Sequence, residues 1–376
     1  LLSPPSLQIC CGDNCEYSRR SPNVWGAKRQ RHPNQRWQVA RAWENPILGN
    51  TRGCANAMSV EGTNETKKSA IPPRNMLMIK NKILTNEIRT SDIRIYLVRT
   101  GEDCDNIMPA WRNRAFETYQ AYRLLDMNQP TWIPRRAGGE DDYVSDAPLT
   151  NVGSLSAQLV GRAITMRTVI SEVYTSPSLA SIQTAYSLVS SLQQRLLAKI
   201  RVEPGLFEPL PLITKNSLPN FLLVEDLIAY GIDIDASYKP FMKVEQLMKS
   251  VAAEQTVGDA YVRIGEVGDE IAKKCSSSEK CVVIICDAIG IDALFRRITR
   301  RSDVAETLDD IRQMRKFYPQ CCTLTLQWNA KMHSWSYESA AIPPMTLFHT
   351  RNTVKVPSFC RNGKVIIASP ERESLL

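Results

Sequence analysis

From Ile93 onward the chain alternates short β-branched runs with longer amphipathic segments, and few architectures accept that order. When a helical segment separates each strand from the next, consecutive strands pair most readily in parallel, so the alternation predicts an α/β fold with a mainly parallel sheet. The strands are read at Ile93–Val98, Glu172–Thr175, Ile200–Val202, Cys281–Cys286 and Leu324–Leu326. A helix beginning near Gly153 places Leu155, Leu159, Ile164 and Met166 on one face. Another follows Ser178, whose hydroxyl can accept a free amide hydrogen of the first turn, and runs through Ala185, Leu188 and Leu192. A long, partly helical insertion separates the third and fourth strands, with Leu247, Val251, Val262 and Ile271 expected to point inward.

With 376 residues, 43% of them hydrophobic and 23% charged, the composition is globular. The longest unbroken apolar run, Cys281–Cys286, is far too short to span a bilayer. The first thirty residues hold Pro4, Pro5, Arg19 and Arg20 but no secretory leader pattern, so a cytoplasmic location is expected. The net charge of +8 is confined to residues 1 to 90, which carry fourteen Lys/Arg against six Asp/Glu, while residues 91 to 376 carry thirty-three of each. That N-terminal region has clustered Pro and Asn and no sustained periodicity, and is read as a basic, disordered segment ahead of one domain over 91–376. Its basic residues alternate with Trp25, Trp37 and Trp43, so RNA or acidic lipid is a minor alternative to a solvated tail; nucleic-acid binding is not the expectation.

Eleven scattered cysteines form no disulfide framework and read mostly as buried thiols of a reducing compartment. Cys10, Cys11 and Cys15, with His32 and Cys54 beyond them, fit none of the usual paired-cysteine zinc patterns. Neither a metal nor another cofactor is expected.

In open α/β sheets ligands bind outside the carboxyl ends of the strands. Those tips are Arg99-Thr100-Gly101-Glu102, Ser176 to Ala180, Glu203 to Glu208, and Asp287-Ala288, and they are predicted to converge.

Several tip motifs occur in one recognisable order: Arg-x-Gly-Glu at 99–102, Asp146-Ala147-Pro148-Leu149-Thr150 with Gly153 and Gln158, and Ser176-Pro177-Ser178-Leu179 with Gln183-Thr184-Ala185. Together they resemble the histidine phosphatase superfamily of phosphoglycerate mutase-like fold. Arg136-Ala137-Gly138-Gly139, Asp142-Tyr143 and Arg201 to Glu208 narrow the resemblance to the phosphatase domain of the TULA/Sts and ecdysteroid-phosphate phosphatase type, over roughly Ile93 to Phe348. The resemblance implies a three-layer α/β domain and a reaction through a phosphohistidine. In it, arginines hold the phosphoryl oxygens, a carboxylate protonates the leaving group and a second histidine stabilises the transferring group.

Carried over by position, the match keeps Arg99 in the first tip and Glu208 as the proton donor. Thr100 stands at the nucleophile position, Asp103 at a second arginine, Ala180 at the phosphate-holding arginine of the second tip, and Asp287 at the second histidine. An alkyl hydroxyl without a neighbouring base is a poor nucleophile. The pocket would set Arg99 against Asp103, Glu208 and Asp287, a formal charge of about −2. Unit charges ~4 Å apart interact by about 4 kcal/mol at an effective dielectric near 20, so phosphate is expected to be repelled. The simplest reading pairs Arg99 with Asp287 in a salt bridge that fills the vacated site. A hard-cation site at Asp103, Glu208 and Asp287, Thr100 activated by Asp287, and His349 as a substitute nucleophile are the sharper alternatives.

The sequence therefore predicts a catalytically impaired histidine-phosphatase-fold protein of TULA/Sts type acting by binding, with a homodimer or a heterodimer with an active relative as the implied assembly. The competing prediction is a weak or altered phosphatase acting on phosphomonoesters or phosphotyrosine.

Overall fold

The computed structural model describes residues 92–116, 121–192, 198–209, 218–339, 341–347, 350–359 and 365–367. The basic region 1–90, its candidate zinc cluster and His349 lie outside them. Among the described residues no helix is long and apolar enough to cross a membrane.

The chain runs β1 (Arg94–Arg99), α1 (Cys104–Ile107), α2 (Trp111–Phe116), α3 (Asn151–Thr165), β2 (Ile170–Thr175), α4 (Leu179–Ser190), β3 (Lys199–Val202), α5 (Val224–Ala229), α6 (Val244–Ala253) and α7 (Val257–Ser278). It continues through β4 (Cys281–Cys286), α8 (Ala288–Ile298), α9 (Leu308–Phe317), β5 (Thr323–Asn329) and β6 (Ser334–Glu338). These last two strands form a hairpin, of which the sequence pattern showed only the first, and shortened.

The central sheet has the order β3-β2-β4-β1-β5-β6. Its first four strands are parallel and β5 and β6 antiparallel. Register brings the parallel strands out level, with Arg99 opposite Cys286, Thr175 opposite Ile285 and Val202 opposite Thr175. That level edge brings the strand tips together.

Alternation along β1 sends Ile95 and Leu97 into one core, and Tyr96 and Val98 into the other. The first core is closed by α7, α8 and α9, the second by α3 and α4, giving three layers around the sheet. Strand β4 is buried along its whole length, as a central parallel strand covered on both faces must be.

The face grouped on the first long helix is not its core face, and one inward assignment in the insertion is corrected. Leu155 and Leu159 of α3 and Met166 just after it are exposed, and only Ile164 of that set is buried. Small residues take the inner face because α3 approaches α4 closely: a Cβ on Gly161 would lie 2.5 Å from the Leu188 carbonyl oxygen. In the insertion Leu247, Val251 and Ile271 are buried, but Val262 is exposed while its neighbours Tyr261, Arg263 and Ile264 face in.

Candidate functional site

The first tip is fixed by its backbone. Arg99 N donates to Cys322 O at 3.0 Å and Thr100 N to Cys286 O at 2.9 Å. Gly101 then passes under α3, where a Cβ would lie 2.9 Å from the Leu149 side chain. Glu102 turns away from the tip to accept from the Thr150 hydroxyl and from Asn128, each at 2.8 Å. The Arg-x-Gly-Glu and Pro-Leu-Thr motifs thus lock to each other, since Thr150 also caps α3.

The second tip is anchored in a similar way. Buried Asp146 accepts from Leu179 N at the start of α4 and pairs with Arg136, both at 2.6 Å. Arg136 in turn lies over the Tyr143 ring. This accounts for the 136–146 motifs as structural supports of α4. As predicted, Ser178 caps α4, accepting from Ser181 N.

In the third tip Glu203, fully buried, gathers Gly205 N, Phe241 N, Met242 N and the Tyr238 hydroxyl at 2.7–3.2 Å, and burial pushes its carboxyl above the ordinary value. Arg263, paired with Glu254, donates to the carbonyls of Gly205 and Phe207 at 2.9 and 2.7 Å. These contacts deliver Glu208 to the mouth of the sheet.

The structure brings Arg99, Glu208 and Asp287 together, with Asp103 close enough to act on the first two. The expected Arg99–Asp287 salt bridge is nevertheless not formed. The guanidinium of Arg99, 7% exposed, donates instead to the carbonyls of Tyr318 at 2.5 Å and Arg315 at 3.4 Å, where the end of α9 leaves acceptors free. Burial lowers its pKa. Asp287 is committed elsewhere, capping α8 by accepting from Ile289 N at 3.2 Å and Gly290 N at 3.0 Å. Asp103 likewise caps α1, accepting from Asn106 N at 2.9 Å, and burial raises its pKa.

Glu208 is the unusual member. Its Oε2 is buried without a hydrogen-bond partner, and the nearest cation, Arg315 of α9, stands at 3.9 Å. Burial, then the adjacent Asp287 carboxylate, hold its pKa well above the ordinary value. Arg315 adds a positive charge to the pocket that reading the strand tips alone had missed. The only sequence signal for Arg315 was its place in the basic last turn of α9.

Thr100 contacts hydroxyls alone: its Oγ1 lies 2.7 Å from Ser181 Oγ, which accepts from Ser178 Oγ at 2.8 Å. Ala180, 7% exposed, stands beside this chain with its carbonyl held by Thr184. Asp287 is not hydrogen-bonded to Thr100, as the alternative in which it activates Thr100 would require; the Thr100 hydroxyl meets Ser181 instead. The cation alternative fares no better: among the described residues no three His, Cys, Asp or Glu side chains gather as a metal-holding group. His333 lies in the β5–β6 turn, 6.2 Å from the Trp328 ring.

No family model matches the chain. It is 33% identical over 201 residues to human ubiquitin-associated and SH3 domain-containing protein B, covering 53% of this chain and 30% of that protein. It is also 33% identical over 234 residues to Bombyx mori ecdysteroid-phosphate phosphatase, covering 61% and 33% respectively. The chain thus spans about a third of the length of the curated relatives it matches. Among solved structures, the Bombyx mori ecdysone phosphate phosphatase in complex with tungstate superposes with a TM-score of 0.56 at 26% identity, over 68% of this chain and 96% of that one.

Proposed function

The chain belongs to the histidine phosphatase superfamily, near the ecdysteroid-phosphate phosphatases and ubiquitin-associated and SH3 domain-containing proteins, and we propose that within it the chain acts as a binding or regulatory module rather than as an efficient phosphatase. The observation that carries this reading is the surroundings of Thr100, which sits at the family's nucleophile position with Ser181 and Ser178 as its hydroxyl neighbours. Phosphoryl transfer to a side chain needs a nucleophile that is basic at neutral pH or has a base beside it. A threonine in a chain of alcohols has neither.

The transition state would also lack its clamp. Arg99 commits Nη1 to the Tyr318 and Arg315 carbonyls, and Ala180 supplies no second guanidinium to grip the phosphoryl oxygens from the other side. Asp287, at the second histidine position, brings a negative charge to where positive charge is required. The partner on this reading is a protein, either a second copy of the chain or an active relative.

One observation favours a weak phosphatase as the second reading. Glu208, whose pKa is held well above the ordinary carboxylate value by burial and by Asp287, stands at the family's proton-donor position. Its substrate class would be phosphomonoesters, as the names of the ecdysteroid-phosphate relatives suggest.

Hydrolysis of p-nitrophenyl phosphate by the full chain and by its Arg99→Ala and Glu208→Gln forms separates the two. Equal background rates for all three support the binding module. A rate above background that falls at least about tenfold in both variants supports the enzyme. Combining Thr100→His, Ala180→Arg and Asp287→His is expected to raise the rate above background if lost side chains alone account for the impairment. Light-scattering mass measurement of the full chain tests self-association.

A further inference from the structure

A cavity of about 670 Å³ opens at the far end of α8 from the strand tips, between the end of that helix, α7 and the β5–β6 hairpin. Asp287 caps one end of α8 and the cavity surrounds the other, so the helix length of about 16 Å separates the two places. Five cationic side chains line it, at 273, 296, 297, 300 and 301, against the single carboxylate of Asp269. Arg297 pairs with Asp269 at 2.8 Å, and Arg296 and Arg301 pair with Asp303. Lys273 and Arg300 have no ion-pair partner among the described residues, and both are exposed. The backbone of Arg300 is left-handed, φ 58°, and its amide donates to Arg297 O.

The opposite wall is aromatic. Trp328 and Trp335 face each other across the hairpin register with ring centroids 5.3 Å apart, and both are half-buried. A cross-strand tryptophan pair stabilises a hairpin by itself, but that does not require unpaired cations opposite it. We propose that this cavity is a binding site for a nucleoside phosphate, its phosphates facing Lys273 and Arg300 and its base against the indole pair. The volume lies in the range of small-ligand pockets and is too small for a folded partner. Flat heterocycles stack on indoles, and phosphate oxygens match guanidinium and ammonium donors. Neither the strand tips nor the reading of Thr100 enters this argument.

Calorimetric titration of the full chain at low salt with ADP, adenosine and pyrophosphate tests it. The expected result is one ADP per chain, bound at least about tenfold more tightly than either fragment, since stacking of one base is equivalent to about that factor. The double variant Lys273→Glu and Arg300→Glu should weaken ADP by at least tenfold while its melting temperature stays that of the parent, and Trp335→Leu should bring ADP down to the pyrophosphate affinity. Arg99→Ala and Arg315→Ala should leave ADP binding unchanged. Absence of ADP binding, pyrophosphate binding as tightly as ADP, or loss of ADP binding in Arg315→Ala but not in the double variant would each overturn the proposal.

Discussion

Two aspartates five residues apart on one helix have opposite surroundings. Asp292, in the middle of α8, is fully buried and accepts from the Tyr261 hydroxyl at 2.6 Å, the Tyr318 hydroxyl at 2.5 Å and Arg296 Nε at 2.7 Å. Arg296 continues the network to Asp303 and to the Pro357 carbonyl. Asp287, at the start of the helix, accepts the amides of Ile289 and Gly290 and stands beside Glu208, whose Oε2 is buried without a hydrogen-bond partner. A buried charge that is completely satisfied holds architecture together, whereas one left beside a like charge costs stability. The Asp292 network fixes Tyr318, and the Tyr318 carbonyl in turn holds Arg99, so the settled region props up the unsettled one.

The sharpest break in that comparison is Asp292→Ala. It leaves Arg296 Nε and two buried hydroxyls without their acceptor, while Asp303 and the Pro357 carbonyl still hold the rest of the guanidinium; removing one partner of a buried charged pair costs about 3–5 kcal/mol. Urea unfolding should show a loss of that size; a loss under about 1 kcal/mol would mean that the network is not satisfied as described. Gly153→Ala should come next. Its Cβ would lie 2.3 Å from the Glu102 carbonyl oxygen, a backbone atom that cannot swing aside, and overpacking of this kind costs about 1–3 kcal/mol. Thermal melting should fall accordingly.

How much of this the sequence disclosed depends on the kind of contact. Strand β4 was legible to its end residues because a central strand buried on both faces must be apolar throughout. The four tips were legible because parallel pairing forces their ends level. The inner face of α3 was not, since its closeness to α4 demanded glycine and alanine and pushed the leucines outward. The site was half legible: residue types at the tips could be read, but the acceptors of Arg99 are main-chain carbonyls, which any residue supplies. Arg315 arrives from α9, whose path no strand pattern sets. The Asp292–Arg296 pair carried a visible sign, opposite charges four apart in a helix whose one other charge is Arg297.

Smaller effects sharpen the contrast at Asp287. Asp287→Ala removes a helix cap, which costs about 0.5–2 kcal/mol, and at the same time relieves Glu208 of its negative neighbour. Asp287→Asn keeps the cap and removes only the charge. It should therefore be at least as stable as the parent protein at neutral pH, and markedly more stable than the alanine form, when the three urea midpoints are compared.

The smallest expected effect is the most diagnostic, because it is read as a slope. Glu208 has a folded-state pKa raised by burial and by Asp287, so its protonated form favours folding. That contribution is complete below the unfolded carboxyl value, about 4.3, and is lost as pH rises through the folded value. Glu172 behaves in the opposite way. Burial works against its charge but is outweighed by the Tyr174 and Arg201 hydrogen bonds and by Arg201 and Lys274, which bring it down to about 2. Its contribution is present above about 4.3 and lost as pH falls toward 2. Urea midpoints from pH 3 to 8 should then show Glu208→Gln gaining on the parent protein as pH rises above 5, and Glu172→Gln losing ground over the acidic limb as pH rises from 3. Parallel curves for Glu208→Gln and the parent would mean that Glu208 is ionised and solvated, and the strand-tip pocket would then carry the negative charge that Arg315 and a protonated carboxyl otherwise cancel.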